Sequence, residues 1–133
     1  MANELDAEIR RLLFERIASY EQLEALLLLR ADATRSWSVP QLAASLRIDE
    51  ASVAAALDAL DADRLIEKCA DPVSYRYAPA DPHTGALVDR LARLYTEQRL
   101  EVIRQMSTNA IERLRSSAAR TFADAFLLRG RKP

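Results

Sequence analysis

The sequence predicts a mainly α protein with one small β hairpin, on three observations. Ala, Leu, Arg and Glu dominate, with only two Gly and five Pro in 133 residues, which favours helix through most of the chain. Apolar residues recur at helical spacing in several segments, most of them opened by a Ser or Asp suited to cap a helix. Two short β-prone runs flank Asp71-Pro72, which marks a turn. A hydrophobic content of 50% beside 29% charge describes an ordered chain rather than a disordered one.

Leu5, Ile9, Leu12, Leu13 and Ile17 share a helical face, so residues 3–17 read as an amphipathic helix. Ser19 with Gln22 has the form of a capping box, and a second helix follows to about Ala31. Its Leu run points all round, the pattern of a helix buried on several faces. Residues 35–39 suit a brief strand, with Trp37 as a core residue, before Pro40 in the first turn of a new helix. Ser38 and Gln41 repeat the capping pattern, Leu42, Ala43 and Leu46 form the apolar face, and the helix ends near Arg47. Ile48 then occupies a turn. Asp49 caps the next helix, whose Val53, Leu57 and Leu60 point into the core. Residues 65–68 and 74–78 form an antiparallel pair, with Ser74 and Arg76 on the face opposite Tyr75 and Tyr77.

The pattern LAxxLxIDxxxVxxxLxxLxxxxLI within residues 42–66, with its hairpin, resembles the winged helix-turn-helix superfamily, nearest in layout to MarR-like or PadR-like regulators. The resemblance spans Ser19 to Pro79, just under half of the chain. It implies a DNA-binding regulator, although winged helices also serve as docking modules and fold alone does not fix activity. The chain is accordingly divided into an N-terminal helix (1–18), a winged helix-turn-helix (19–80) and a C-terminal helical dimerisation region (81–133).

Asp81-Pro82 opens that last region. From there to Leu128 the helix is expected to be either continuous or broken near Ser107-Thr108-Asn109, where Asn109 and Glu112 offer a new cap. The apolar stripe drifts around the helix and exceeds what a small domain covers, so a homodimer is expected. Its contact residues are expected to be Leu87, Leu91, Leu94, Tyr95, Ile103, Ile111, Leu114 and Phe122. The resemblance implies the same use of terminal helices.

Charge complicates the DNA reading. The formal net charge is −1, but residues 36–80 carry four basic and seven acidic groups, whereas residues 83–133 carry ten and five. The helix from Asp49 to Asp63, where recognition would take place, has no Lys or Arg. Its outward face, Ala51, Ala55, Asp58, Ala59 and Ala62, offers neither base-edge donors nor cations for phosphate. Contacts to duplex DNA would fall to Arg47, Ser52, Arg64 and Arg76. The alternative is a protein partner docked on the Ala and Asp face, because small side chains permit close helix approach. The arginines of the last region, Arg90, Arg93, Arg99, Arg104, Arg113, Arg115 and Arg120, read as a solvated face paired with Glu97, Glu101 and Glu112, and Arg129, Arg131 and Lys132 as a frayed tail.

An enzyme is not expected. The chain has one His and one Cys, too few for a Cys/His zinc site, and lacks a Gly-rich phosphate loop or a nucleophile-base motif, so no metal or cofactor is expected. His83 and Cys69 read as structural or incidental, with redox sensing the other use of Cys69. An acidic N-terminus without an apolar region, and a longest Leu run of only Leu26 to Leu29, lead to the expectation of a cytoplasmic protein without a membrane span.

Overall fold

A computed structural model describes residues 6–70 and 72–130. The elements run α1 (Ala7–Glu15), α2 (Tyr20–Ala31), α3 (Val39–Leu46), α4 (Glu50–Ala62), β1 (Ile66–Ala70), β2 (Val73–Tyr77), α5 (Pro82–Glu97) and α6 (Arg99–Gly130). Leu5, Asp71, Arg131, Lys132 and the side chain of Arg129 lie outside the described residues.

The helix starts are local chemistry. Asp6, Ser19, Ser38, Asp49 and Asp81 each accept, through the side chain, the N–H three residues on, at Ile9, Gln22, Gln41, Ser52 and Thr84. Each bond satisfies one donor that the first helical turn would otherwise leave unpaired. Ser38 and Gln41 complete a reciprocal capping box. At Ser19 the return contact moves by one residue, and the Gln22 amide oxygen accepts from the Ala18 N–H at 2.7 Å.

The core is built around α2. Leu23, Ala25, Leu26 and Leu29 are buried and Leu27 and Leu28 half-buried, so this helix packs on several sides as its Leu run predicts. Ile9, Leu12 and Leu13 of α1, Leu42 of α3, and Val53, Leu57 and Leu60 of α4 join the same cluster. Ala56, not anticipated on the inner face of α4, is also buried. The segment 35–39 contributes a single bridge instead of a strand, in which Trp37 and Tyr75 exchange N–H to O bonds of 2.8 Å. Trp37 is buried in the core, with the Arg35 guanidinium 3.5 Å above its ring. The hairpin pairs from Ile66 with Tyr77 to Ala70 with Val73, longer toward the turn than the expected 65–68 and 74–78. Tyr75 points inward and Arg76 outward.

The largest departure concerns the last third of the chain. No break occurs at 107–109, and Asn109 is buried mid-helix with its Oδ1 accepting from Gln105 Nε2 at 2.9 Å. The chain turns instead at Gln98, between α5 and α6. The turn carries Val102 and Met106 of α6 back into the common core and lays α6 against α1. The drift of the apolar stripe thus reflects two helices meeting one core from different directions.

Because Leu57 is fully buried between α4 and its neighbours, Leu57→Ala is expected to lower unfolding free energy by about 2–5 kcal/mol in urea denaturation. Loss of under about 1 kcal/mol would contradict the packing described.

Candidate nucleic-acid interface

α3 and α4 meet through a tight turn at Arg47 and Ile48, and α4 leads through Asp63 and Arg64 into the hairpin. Arg47 and Arg64 stand at the two ends of α4, whose 13 residues span about 20 Å. Both have left-handed backbones, with φ of 59° and 61°, and are the non-Gly residues with positive φ among those described. Left-handed backbone is a conformation that glycine adopts without the Cβ penalty. Both side chains are exposed, and neither takes a charged or hydrogen-bonding partner among the described residues. The Arg64 carbonyl accepts from the Ala80 N–H at 3.0 Å, which ties the α4 end to the strand exit.

The other two expected contacts are more constrained. Arg76 pairs with Glu67 directly across the hairpin, so its charge is partly neutralised. Ser52 is half-buried and lines a groove of about 260 Å³ with Ser19, Glu21, Gln22, Ala55 and Ala56, turned toward α2. The Asp49 carboxylate accepts from the Ser52 N–H at 2.9 Å, and this bond holds its pKa below the ordinary value.

On the outer face of α4, Ala51, Ala55, Asp58 and Ala62 are exposed and Ala59 half-buried. Asp58 has a structural partner that spacing could not reveal: the Tyr75 hydroxyl donates to its Oδ1 at 3.3 Å, linking the hairpin to α4. Burial, then the Asp58 charge, pushes the Tyr75 phenol up.

The candidate dimer residues separate into two groups. Leu87 and Leu91 are spent in the chain's own core, and Leu94 and Tyr95 pack against it. Ile103 is half-buried beside a shallow cavity of about 280 Å³ shared with Tyr20 and Met106. Ile111, Leu114 and Phe122 are 51%, 71% and 73% exposed, along a helix whose described side chains beyond Arg113 are all exposed.

Three arginines of α5 and α6, Arg90, Arg99 and Arg113, find partners on other elements. Arg90 pairs with Asp6 and, at 3.5 Å, with Glu8, and Arg113 donates to the Leu13 and Phe14 carbonyls at the end of α1. Only Arg104 pairs with an expected same-helix partner among the described residues, Glu101 at 3.0 Å. His83 contacts Glu8 at 2.9 Å and so joins α5 to α1. Cys69 is half-buried on β1 opposite Ser74. Among the described residues no cluster of three or more His, Cys, Asp or Glu could hold a metal, and no helix is long and apolar enough to cross a membrane.

No protein-family model matches the chain, and no curated protein matches it. Solved structures do. One is the homodimeric winged helix-turn-helix DNA-binding domain of a "possible ArsR-family transcriptional regulator" from Mycobacterium bovis, at 21% identity and a TM-score of 0.51, covering 74% of this chain and 93% of that one. Another is MepR, a transcription regulator of the Staphylococcus aureus multidrug efflux pump MepA, at 16% identity and a TM-score of 0.50, covering 89% and 90%. The fold is a winged helix-turn-helix: α3 and α4 form the helix pair and β1 and β2 the wing.

The cap at Asp49 has a signed pH dependence. Its pKa is lowered by folding, so the unfolded chain binds the proton more tightly, and its stabilisation is present above the ordinary carboxylate pKa and lost as pH falls through the folded value. Asp49→Asn keeps a good cap without a titrating group. It is expected to flatten the stability profile below pH ~4 in acid unfolding followed by circular dichroism. A slope unchanged from the parent would overturn this assignment.

Proposed function

We propose that the chain is a winged-helix transcriptional regulator that acts on duplex DNA as a homodimer. The observation that carries this reading is the pair of arginines at the ends of α4. Each occupies a left-handed corner where glycine would be less strained, and each extends a guanidinium that has no partner among the described residues beside the helix that winged helices present to DNA. Strained backbone kept in a side-chain-bearing residue is typical of positions with a functional use.

The charge pattern then sets the mode of binding. α4 has no cation and an Ala and Asp face, so base-edge readout is weak and phosphate contacts at Arg47, Arg64 and the wing residue Arg76 dominate. Ser52, turned toward α2, has a secondary part. Affinity is therefore modest, steeply salt-dependent and tolerant of sequence. The second copy binds along the distal part of α6, through Ile111, Leu114 and Phe122, with Leu94, Tyr95 and Ile103 at the near edge of that face. Leu87 and Leu91 support it from within the core. Exposed apolar side chains repeated along one helix are what such an interface requires.

The Ala and Asp face favours a second reading, in which Ala51, Ala55, Asp58, Ala59 and Ala62 dock a protein partner instead of DNA. Small side chains on an exposed helix allow backbone approach that long ones would prevent.

Titration of the protein against duplex fragments at rising salt distinguishes the two. Under the DNA reading, Arg47→Ala and Arg64→Ala each weaken binding on all sequences and reduce the salt slope by about one unit. Ala55→Arg, by adding a cation, leaves DNA binding intact or improves it, while under the docking reading it blocks the partner. Absence of duplex binding at low salt would end the DNA reading. In parallel, Ile111→Glu with Leu114→Glu is expected to convert a dimer to a monomer in light scattering, with the circular dichroism spectrum retained. A persistent dimer would exclude this face.

A further inference from the structure

The joint between α5 and α6 is not encoded by the residues that form it. From Glu97 to Glu101 the sequence is Glu-Gln-Arg-Leu-Glu, all strong helix formers, with neither Gly nor Pro. Helices α1 to α5 each begin with an Asp or Ser that caps the first turn, whereas α6 follows Gln98, a poor residue for that position. The charges also oppose the break. Glu97 ends α5 and Arg99 starts α6, each at the helix end where the macrodipole disfavours its sign. Local sequence prefers one uninterrupted helix from Pro82 onward, yet Gln98 leaves the helical region at φ −137° and ψ 54°.

What opposes that preference is tertiary. Arg99 reaches back to α2, donating to the Tyr20 hydroxyl at 3.2 Å and lying 3.7 Å from Glu24 Oε2. Its guanidinium stacks 4.6 Å from the centroid of Tyr95, whose hydroxyl donates to the same Glu24 carboxylate at 2.6 Å. The four side chains bridge α2, α5 and α6 at the turn. Just beyond, Val102 and Met106 enter the core.

We infer that the α5–α6 joint is a two-state hinge: a bent form latched by Arg99 on Tyr20 and Glu24, and a straight form in which α5 and α6 merge into one helix. The two forms satisfy competing sets of interactions: the bent form seats Val102 and Met106 in the core and Arg99 on α2, and the straight form completes the helix that residues 97–101 prefer. Arg99 is the positioning residue, and anything that competes for its guanidinium or for Glu24 shifts the joint toward the straight form. The hinge itself does not depend on DNA binding or dimerisation. Its consequence does rest on the proposed dimer: swinging α6 would change the separation of the two α4 helices, and so which DNA they fit.

The test measures the angle within one chain. Nitroxide labels are placed at Ala86→Cys on α5 and Ser117→Cys on α6, both exposed, with Cys69→Ser removing the native thiol. The labelled protein is diluted into excess unlabelled protein, so that pulsed electron resonance reads distances within a single copy. A continuous helix separates the sites by about 47 Å, and any bend shortens this. The parent is expected to give mainly the shorter distance, and Arg99→Ala, or Glu24→Gln, to add a population near the straight-helix value. Adding Gln98→Gly, which disfavours helix at the joint, should then remove that population. The inference is overturned if the latch variants keep the parent distribution. It is equally overturned if the long distance survives Gln98→Gly, since the joint would then be opening without becoming helix.

Discussion

Burial of α2 on several sides is the constraint from which the rest of the molecule follows. A helix whose Leu residues point in every direction cannot sit at a surface, and so α3, α4 and the wing pack on it while α1, α5 and α6 complete the same core. α4 presents Val53, Leu57 and Leu60 to that core, and its opposite face is thereby committed to solvent. The wing is held by Tyr75, which fills the core with its ring, bridges Trp37 through its backbone and donates to Asp58 on α4. The same packing places Arg47 and Arg64 at the two ends of α4.

Around this core the charged groups act as ties between elements. Asp6 and Glu8 hold α1 to Arg90, His83 adds to the same seam, and Arg113 and Arg16 satisfy carbonyls at the end of α1 and after α4. Most of these pairs are half exposed and individually weak. Their effect lies in orientation, since several weak contacts at different points of α1 fix its angle where burial alone would let it slide. The latch on Arg99 belongs to this class but stands where the backbone has an alternative, so there a weak tie selects between conformations instead of merely adding stability.

The molecule's charge layout sets the cations apart from the outer face of α4. Cations at the α4 corners and on the wing can hold phosphates, while the helix between them offers Ala and Asp to whatever comes close. Under the proposed function, such a surface would read backbone shape and spacing more than base identity. In the proposed dimer α6 would set the spacing, which would give the joint at Gln98 more influence on the proposed DNA contacts than the side chains of α4.

The sequence by itself determined the starts of α2 to α5, the wing and the Val53, Leu57 and Leu60 stripe of α4, because these follow from interactions within a few residues: a Ser or Asp side chain meeting the N–H three positions on, or apolar residues returning at helical spacing. The first helix, read as 3–17, instead spans Ala7–Glu15 behind an Asp6 cap. The sequence also located Arg47 and Arg64 at the borders of α4, Ser52 in its first turn and Arg76 on the wing, though not the Arg76 pairing with Glu67 or the Ser52 side chain turned toward α2. Only tertiary structure decided the turn at Gln98, the partners of Arg90, Arg99 and Arg113, and the loss of Leu87 and Leu91 from any outer face. The physical reason is shared. The partners of Arg90, Arg99 and Arg113 lie 75 to 100 positions away, and their meeting is set by how the helices pack and leaves no periodic or capping signal in the local chain.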